Sequence, residues 1–232
     1  MRRELRYGAA TLVAAAVLTA AALLWNGRGP GPLTPPPILP TAGAAPAAGF
    51  AIPEGLLWAE ARTASPLDQP GFRWTRADGV DLPPLVNPCG GTPPGTADRV
   101  AARQVALVGP ELWKAERVVV YRDAAAATRA FEAFRSALRG CAYHDEGDGT
   151  TTVWTTAPVA VGEEALFVTG QRYRGDAGVP GNHRGVLARA GRALLMYVDF
   201  GQRTAPARIS EVDSHVAHAR EVAARIVTQL PG

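Results

Sequence analysis

The sequence predicts an α+β domain, an antiparallel β-sheet with packed helices, and three observations carry that reading. Two stretches, 123–140 and roughly 207–229, repeat apolar residues at helical spacing. Six runs rich in β-branched and aromatic residues lie around the first of them and between the two. Most connections between the runs are of hairpin length, which joins neighbouring strands antiparallel. The predicted order is β-β-α-β-β-β-β-α, with one disulfide, preceded by a single transmembrane helix.

Residues 1–25 read as a signal anchor. Arg2, Arg3 and Arg6 precede an uncharged stretch from Gly8 to Trp25. At ~1.5 Å per residue it spans roughly 27 Å, close to the ~30 Å of a bilayer core. Arginines on its N-terminal side orient that end to the cytoplasm and the remainder outside. The competing reading is a cleaved signal peptide with a site near Ala20-Ala21-Ala22, which makes the protein secreted. Residues 26–50 form a Pro/Gly/Ala-rich linker in which Pro30, Pro32, Pro35, Pro36, Pro37, Pro40 and Pro46 preclude a core. As polyproline II, at ~3.1 Å per residue, it reaches up to roughly 70 Å as a stalk; a disordered tether is the alternative. Residues 51–232 are then the extracytoplasmic domain.

Within that domain, Ile52 to Trp58 opens a short helix with Pro53 in its first turn. The turn-dense segment Asp81 to Gly91 is irregular and pinned at Cys89. Gln104–Val108 and Arg117–Tyr121 are strands separated by a turn at Gly109-Pro110. The central helix places Ala127, Ala130, Phe131, Phe134, Ala137 and Leu138 on one stripe, with Asp123 as N-cap and Gly140 as the left-handed stop. Strands follow over Thr151–Thr156, Glu164–Thr169, Gly185–Arg189 and Arg192–Phe200, the last two joined by a turn at Ala190-Gly191. The final helix carries Ile209, Val212, Val216, Ala219, Val222, Ala223, Ile226 and Leu230 on its buried side.

Charge excludes a class of partner. Arg2, Arg3, Arg6 and Arg28 against Glu4 account for the whole formal net charge of +3, so the rest of the chain is neutral. Nucleic acid, which requires a basic surface, is set aside. Lys114 is the only lysine, and the arginine richness reads as a coding bias.

The two cysteines, Cys89 and Cys141, in a domain placed outside the membrane form one disulfide. Two free thiols are the alternative, and they need a reducing compartment. Neither a CxxC redox motif nor a four-ligand zinc spacing occurs.

No catalytic residue is assigned, and no metal or cofactor is expected. Glu211, His215 and His218 fall at positions that share one helical stripe, as metal ligands or as the solvent flank beside Val212 and Val216. GxSxG, HExxH, P-loop and GxGxxG signatures are absent. The stretch Gln171 to Gly185, read as a long loop between two strands, combines Arg172, Tyr173, Arg174, His183 and Arg184 with flexible glycines. These five are the expected contacts of an anionic or sugar ligand, against a plain hairpin tip.

A short N-terminal anchor and Pro-rich stalk, Ile52-Pro53-Glu54-Gly55-Leu56-Leu57, a strand and helix ending at Cys141, the strand bearing Trp154, and Gly191-Arg192-Ala193-Leu194-Leu195 before an amphipathic helix form a pattern. It resembles the extracytoplasmic sensor domains of actinobacterial membrane proteins, in particular the PknH-like extracellular domain, over roughly 52–230. The resemblance implies a helix-flanked antiparallel sheet with a cleft, exposed at the cell surface. The chain departs from that pattern in having two cysteines where the family commonly has four, and no kinase domain before its apolar run. The expected function is therefore a membrane-anchored, non-enzymatic ligand-binding or sensor-like domain of the cell envelope. Its partners are the membrane, through the N-terminal helix, and a small-molecule or cell-wall ligand or another envelope protein. A structural, partner-docking role and an envelope hydrolase using His183 or His144 are the alternatives.

Overall fold

The computed structural model describes residues 50–63, 70–89, 95–202 and 209–230. The expected anchor, and the linker apart from Phe50, lie outside the described residues. Among those described, no helix is long and apolar enough to cross a membrane.

Among the described residues, nine strands form one antiparallel sheet: β1 (Arg73–Asp78), β2 (Arg99–Val108), β3 (Leu112–Tyr121), β4 (Tyr143–Asp145), β5 (Thr150–Pro158), β6 (Glu164–Arg174), β7 (Ala177–Gly178), β8 (Asn182–Ala190) and β9 (Ala193–Gly201). The spatial order is β1-β2-β3-β9-β8-β6-β5-β4, with β7 beside the end of β6. The six predicted strands are β2, β3, β5, β6, β8 and β9; the first five are longer than expected, and β9 is shifted by one residue. The α+β class, the antiparallel sheet and the Cys89–Cys141 disulfide stand as predicted; its Cα atoms are 5.5 Å apart. Strand β1 was missed because Arg73-Trp74-Thr75-Arg76-Ala77-Asp78 is half charged and lies at the sheet's edge, where half its backbone needs no apolar cover.

Two helices, α1 (Ala124–Gly140) and α2 (Ile209–Gln229), cover opposite faces. Asp123 caps α1 as predicted, its Oδ1 accepting from Ala126 N at 2.7 Å. Gly140 is not the left-handed stop; it stays helical, and Cys141 ends the helix by donating its N–H to Ala137 O at 2.9 Å. The disulfide at that position fixes the exit of the chain without a glycine. Phe131, Phe134 and Leu138 pack under α1 with Val119, Leu194 and Met196. On the other face, Val222, Ala223 and Ile226 of α2 and Ile52, Leu56 and Leu57 of the N-terminal segment meet Val105, Val118, Val186 and Leu195. Burial on both sides explains the unbroken apolar runs Val118-Val119-Val120 and Leu194-Leu195-Met196: each alternate residue has its own core.

The stretch from Gln171 to Gly185 is not a loop. Strand β6 continues to Arg174, pairing Arg172 with Thr152 and Tyr173 with Thr151 of β5. The turn is short, at Gly175-Asp176, where Gly175 takes a φ of 59°. Polar composition hid the strand because its partners are polar as well. Asn182 Oδ1 accepts from Arg172 N at 2.9 Å, and Glu146 Oε1 accepts from Arg172 Nε at 2.9 Å.

Candidate functional site

Strand alternation separates the five residues expected to bind a ligand. Arg172, Arg174 and His183 point to the α1 face, and Tyr173 and Arg184 to the α2 face, as the pairs Arg172↔Thr152, Gly170↔His183 and Thr169↔Arg184 require. Arg172 is held by Glu146 and by the carbonyl of Pro180 at 2.7 Å. Arg174 reaches Thr150 Oγ1 at 3.2 Å and Asp148 at 3.5 Å. Buried Arg184 pairs with Glu211 of α2 at 2.5 Å. His183 lies between Trp154 and Phe200, with ring centroids 5.2 and 4.7 Å away. Burial, then the charge of Arg172, lower its pKa to about 4. The five side chains lie on two opposite faces of the sheet and do not share one.

A different group does converge, on the α2 face. Trp58 and Arg62 descend from the N-terminal segment, Trp74 comes from β1, Val105 and Leu107 from β2, Lys114 and Glu116 from β3, and Tyr197 from β9. They line a mainly apolar pocket of about 210 Å³, far above the ~10–15 Å³ that one water needs. The register places these residues together: Trp74, Leu107 and Lys114 form one cross-strand row, and Val105, Glu116 and Tyr197 the next. The Arg62 guanidinium lies 3.5 Å above the Trp58 ring. Lys114 Nζ is 3.2 Å from Asp199, which is itself 3.4 Å from His215 Nε2.

Glu116, 2% exposed, forms the floor. Its Oε2 accepts from Ala59 N at 2.8 Å, and its Oε1 meets His218 Nε2. Tyr197 stacks on His218 at 4.2 Å, and Trp58 meets the same ring edge-on at 4.8 Å. Burial raises Glu116 to about 7, against the Ala59 hydrogen bond that lowers it. Burial likewise lowers His218 to about 4. Each group is thus held toward its uncharged form.

The stripe of Glu211, His215 and His218 therefore faces the sheet and not solvent. Arg184, Asp199 and Glu116 stand opposite them. Among the described residues no group of three metal-ligating side chains forms. Sequence reasoning missed Trp58, Arg62, Trp74 and Glu116. The available signal was the only carboxylate of an otherwise apolar or basic strand, at Ala115-Glu116-Arg117.

A family model, the PknH-like extracellular domain, matches residues 98–225. The chain belongs to this family of extracytoplasmic, sensor-type domains, and no enzymatic family is indicated. Among solved structures, the extracellular domain of PknH from Mycobacterium tuberculosis is similar at 16% identity and a TM-score of 0.47, over 81% of this chain and 98% of that one. An uncharacterized protein from Mycobacterium smegmatis is similar at 12% identity and a TM-score of 0.37, over 68% of this chain and 90% of that one. No curated protein matches.

Proposed function

We propose that the protein is a membrane-anchored, extracytoplasmic, non-enzymatic domain that binds a small ligand in the pocket under Trp58 and Trp74. One observation carries this reading: three aromatic rings, two cations and a buried carboxyl converge on one recessed, mainly apolar space. Convergent polar groups in such a space orient a ligand, whereas Arg172, Arg174 and Arg184 on β6 and β8 are already paired with Glu146, Asp148 and Glu211. The partner-docking alternative is less well supported, since the exposed large apolar residues among those described are Tyr143, Ile209 and Val227, with the latter two at opposite ends of α2.

Native mass spectrometry of the full chain, gently extracted from its own envelope, tests the pocket. The expected result is an organic adduct, released on denaturation and lost in Trp74→Ala. A parent without an organic adduct, or an adduct retained by the variant, overturns the reading. Anchoring has its own test: the full chain stays with membranes through alkaline carbonate washing and is cut by protease added to whole cells. Release by carbonate, or protection from protease, sinks that part.

A further inference from the structure

The opposite face of the sheet holds two buried guanidiniums that no carboxylate among the described residues pairs with. Arg99 opens β2 and is 7% exposed; Arg117, in β3, is 3% exposed. Arg117 points to the α1 face in the same alternation as Val119 and Tyr121, and the register shift between Arg99 and Ala101 brings Arg99 to the same face, opposite Tyr121. Arg99 Nη1 donates to Leu82 O at 3.0 Å and more weakly to Val80 O at 3.4 Å. Arg117 Nη2 donates to Gln104 Oε1. Among the described residues, Arg99 Nε and Nη2 and Arg117 Nε and Nη1 have no hydrogen-bond partner and are closed off from solvent, and the buried Tyr121 hydroxyl lies against the Arg99 guanidinium.

These groups belong to one neighbourhood. Arg99 and Tyr121 are cross-strand partners, and the Arg99 charge acts on both Tyr121 and Arg117. The core on this face is apolar, and Leu82, Leu85 and Val86 from the segment before β2 and Ala126, Ala127 and Ala130 of α1 belong to it with Tyr121. The nearest acid acting on Tyr121 is Asp98, which is engaged by Arg122 at 3.1 Å and Arg129 at 3.3 Å.

An isolated buried charge is among the most costly things a fold can hold, and it persists where something of opposite charge meets it. Burial, and then the neighbouring Arg99, push Arg117 down to about 9, a value at which the guanidinium still carries its charge at neutral pH. Every unpaired group here is a donor, and the two planar forks suit the oxygens of a phosphate, sulfate or carboxylate. We propose that Arg99, Arg117 and Tyr121 form a buried oxyanion site between the β2–β3 pair and α1, separate from the aromatic pocket on the other face.

The test uses the full chain and three probes, inorganic phosphate, sulfate and acetate, compared with chloride at equal ionic strength. Melting temperature should rise with at least one of the three in the parent. Tyr121→Phe, which removes only a hydroxyl, should weaken that anion by about tenfold. Arg117→Met should abolish the effect, and should melt higher than the parent in chloride because an uncompensated charge has gone. Ion chromatography of the desalted, denatured parent separates the sources, by showing whether an inorganic anion or an organic acid is carried along. Stabilisation that is the same in parent and Tyr121→Phe overturns the site. So do melting curves identical in all four salts together with no anion released on denaturation.

Discussion

Glu116 of β3 and His218 of α2, 102 positions apart, share a hydrogen bond that fastens the last helix onto the middle of the sheet. Their proton linkages oppose each other. Between about pH 4.5 and 7, folded Glu116 keeps a proton that the unfolded chain releases, so its contribution to stability falls as pH rises. Between about pH 4 and 6.5, folded His218 lacks a proton that the unfolded chain binds, so its contribution grows as pH rises. Arg62 and Arg225 pull Glu116 down, and Glu60 pushes it up, without reversing its direction. Removing the imidazole exposes the carboxyl's slope. Relative to the parent, His218→Gln should lose stability steadily from about pH 4 to 6.5 in urea titrations, the window in which the imidazole's contribution grows in the parent. Parallel pH profiles for variant and parent would contradict the assignment.

The disulfide closes a loop with a sequence separation of 52. In the chain-entropy model its removal costs roughly 4 kcal/mol, a large part of an ordinary domain's stability. The double variant Cys89→Ser/Cys141→Ser should show a matching fall in unfolding free energy, and reductant should have no further effect on it. A fall below about 1 kcal/mol would show that the loop is constrained by other contacts.

Gly185 sits where β8 runs against β9. A Cβ there would lie 2.1 Å from Tyr197 O and 2.9 Å from Val198 Cα, both backbone atoms that cannot yield separately from the strand. Gly185→Ala should therefore destabilise by about 2 kcal/mol or more, with amide exchange rising first along β8 and β9. Unchanged exchange protection at those strands would rule out the close approach as the reason for glycine.

The parts legible in the sequence were those with a single period. Helix α1 announced itself by its apolar stripe and by Asp123, and the strands with two apolar faces by uninterrupted valine and leucine. What stayed hidden depends on pairs brought together from afar. Arg172 looks like an exposed loop cation until Glu146 and Asn182 are known to flank it. His215 and His218 read equally as surface or buried residues, because the acids that receive them, Asp199 and Glu116, lie on other strands. The pocket draws Trp58, Trp74, Lys114 and Tyr197 from four separate segments, and only the register of β1, β2, β3 and β9 makes them neighbours. Arg117 shows the same limit, since its lack of a counter-charge is a property of the assembled α1 face.

The strand order has a consequence for how the chain must be made. Strand β3 pairs with β2 on one side and with β9 on the other, and β9 begins only at Ala193. Until that last strand arrives, the Leu112–Tyr121 edge, with its three consecutive valines, stands open as a template for any passing strand. A chain delivered from its N-terminus therefore remains adhesive for most of its passage and locks shut late, in one insertion between β3 and β8. A chain truncated before Ala193 leaves that edge unpaired, the arrangement from which edge-to-edge aggregation starts.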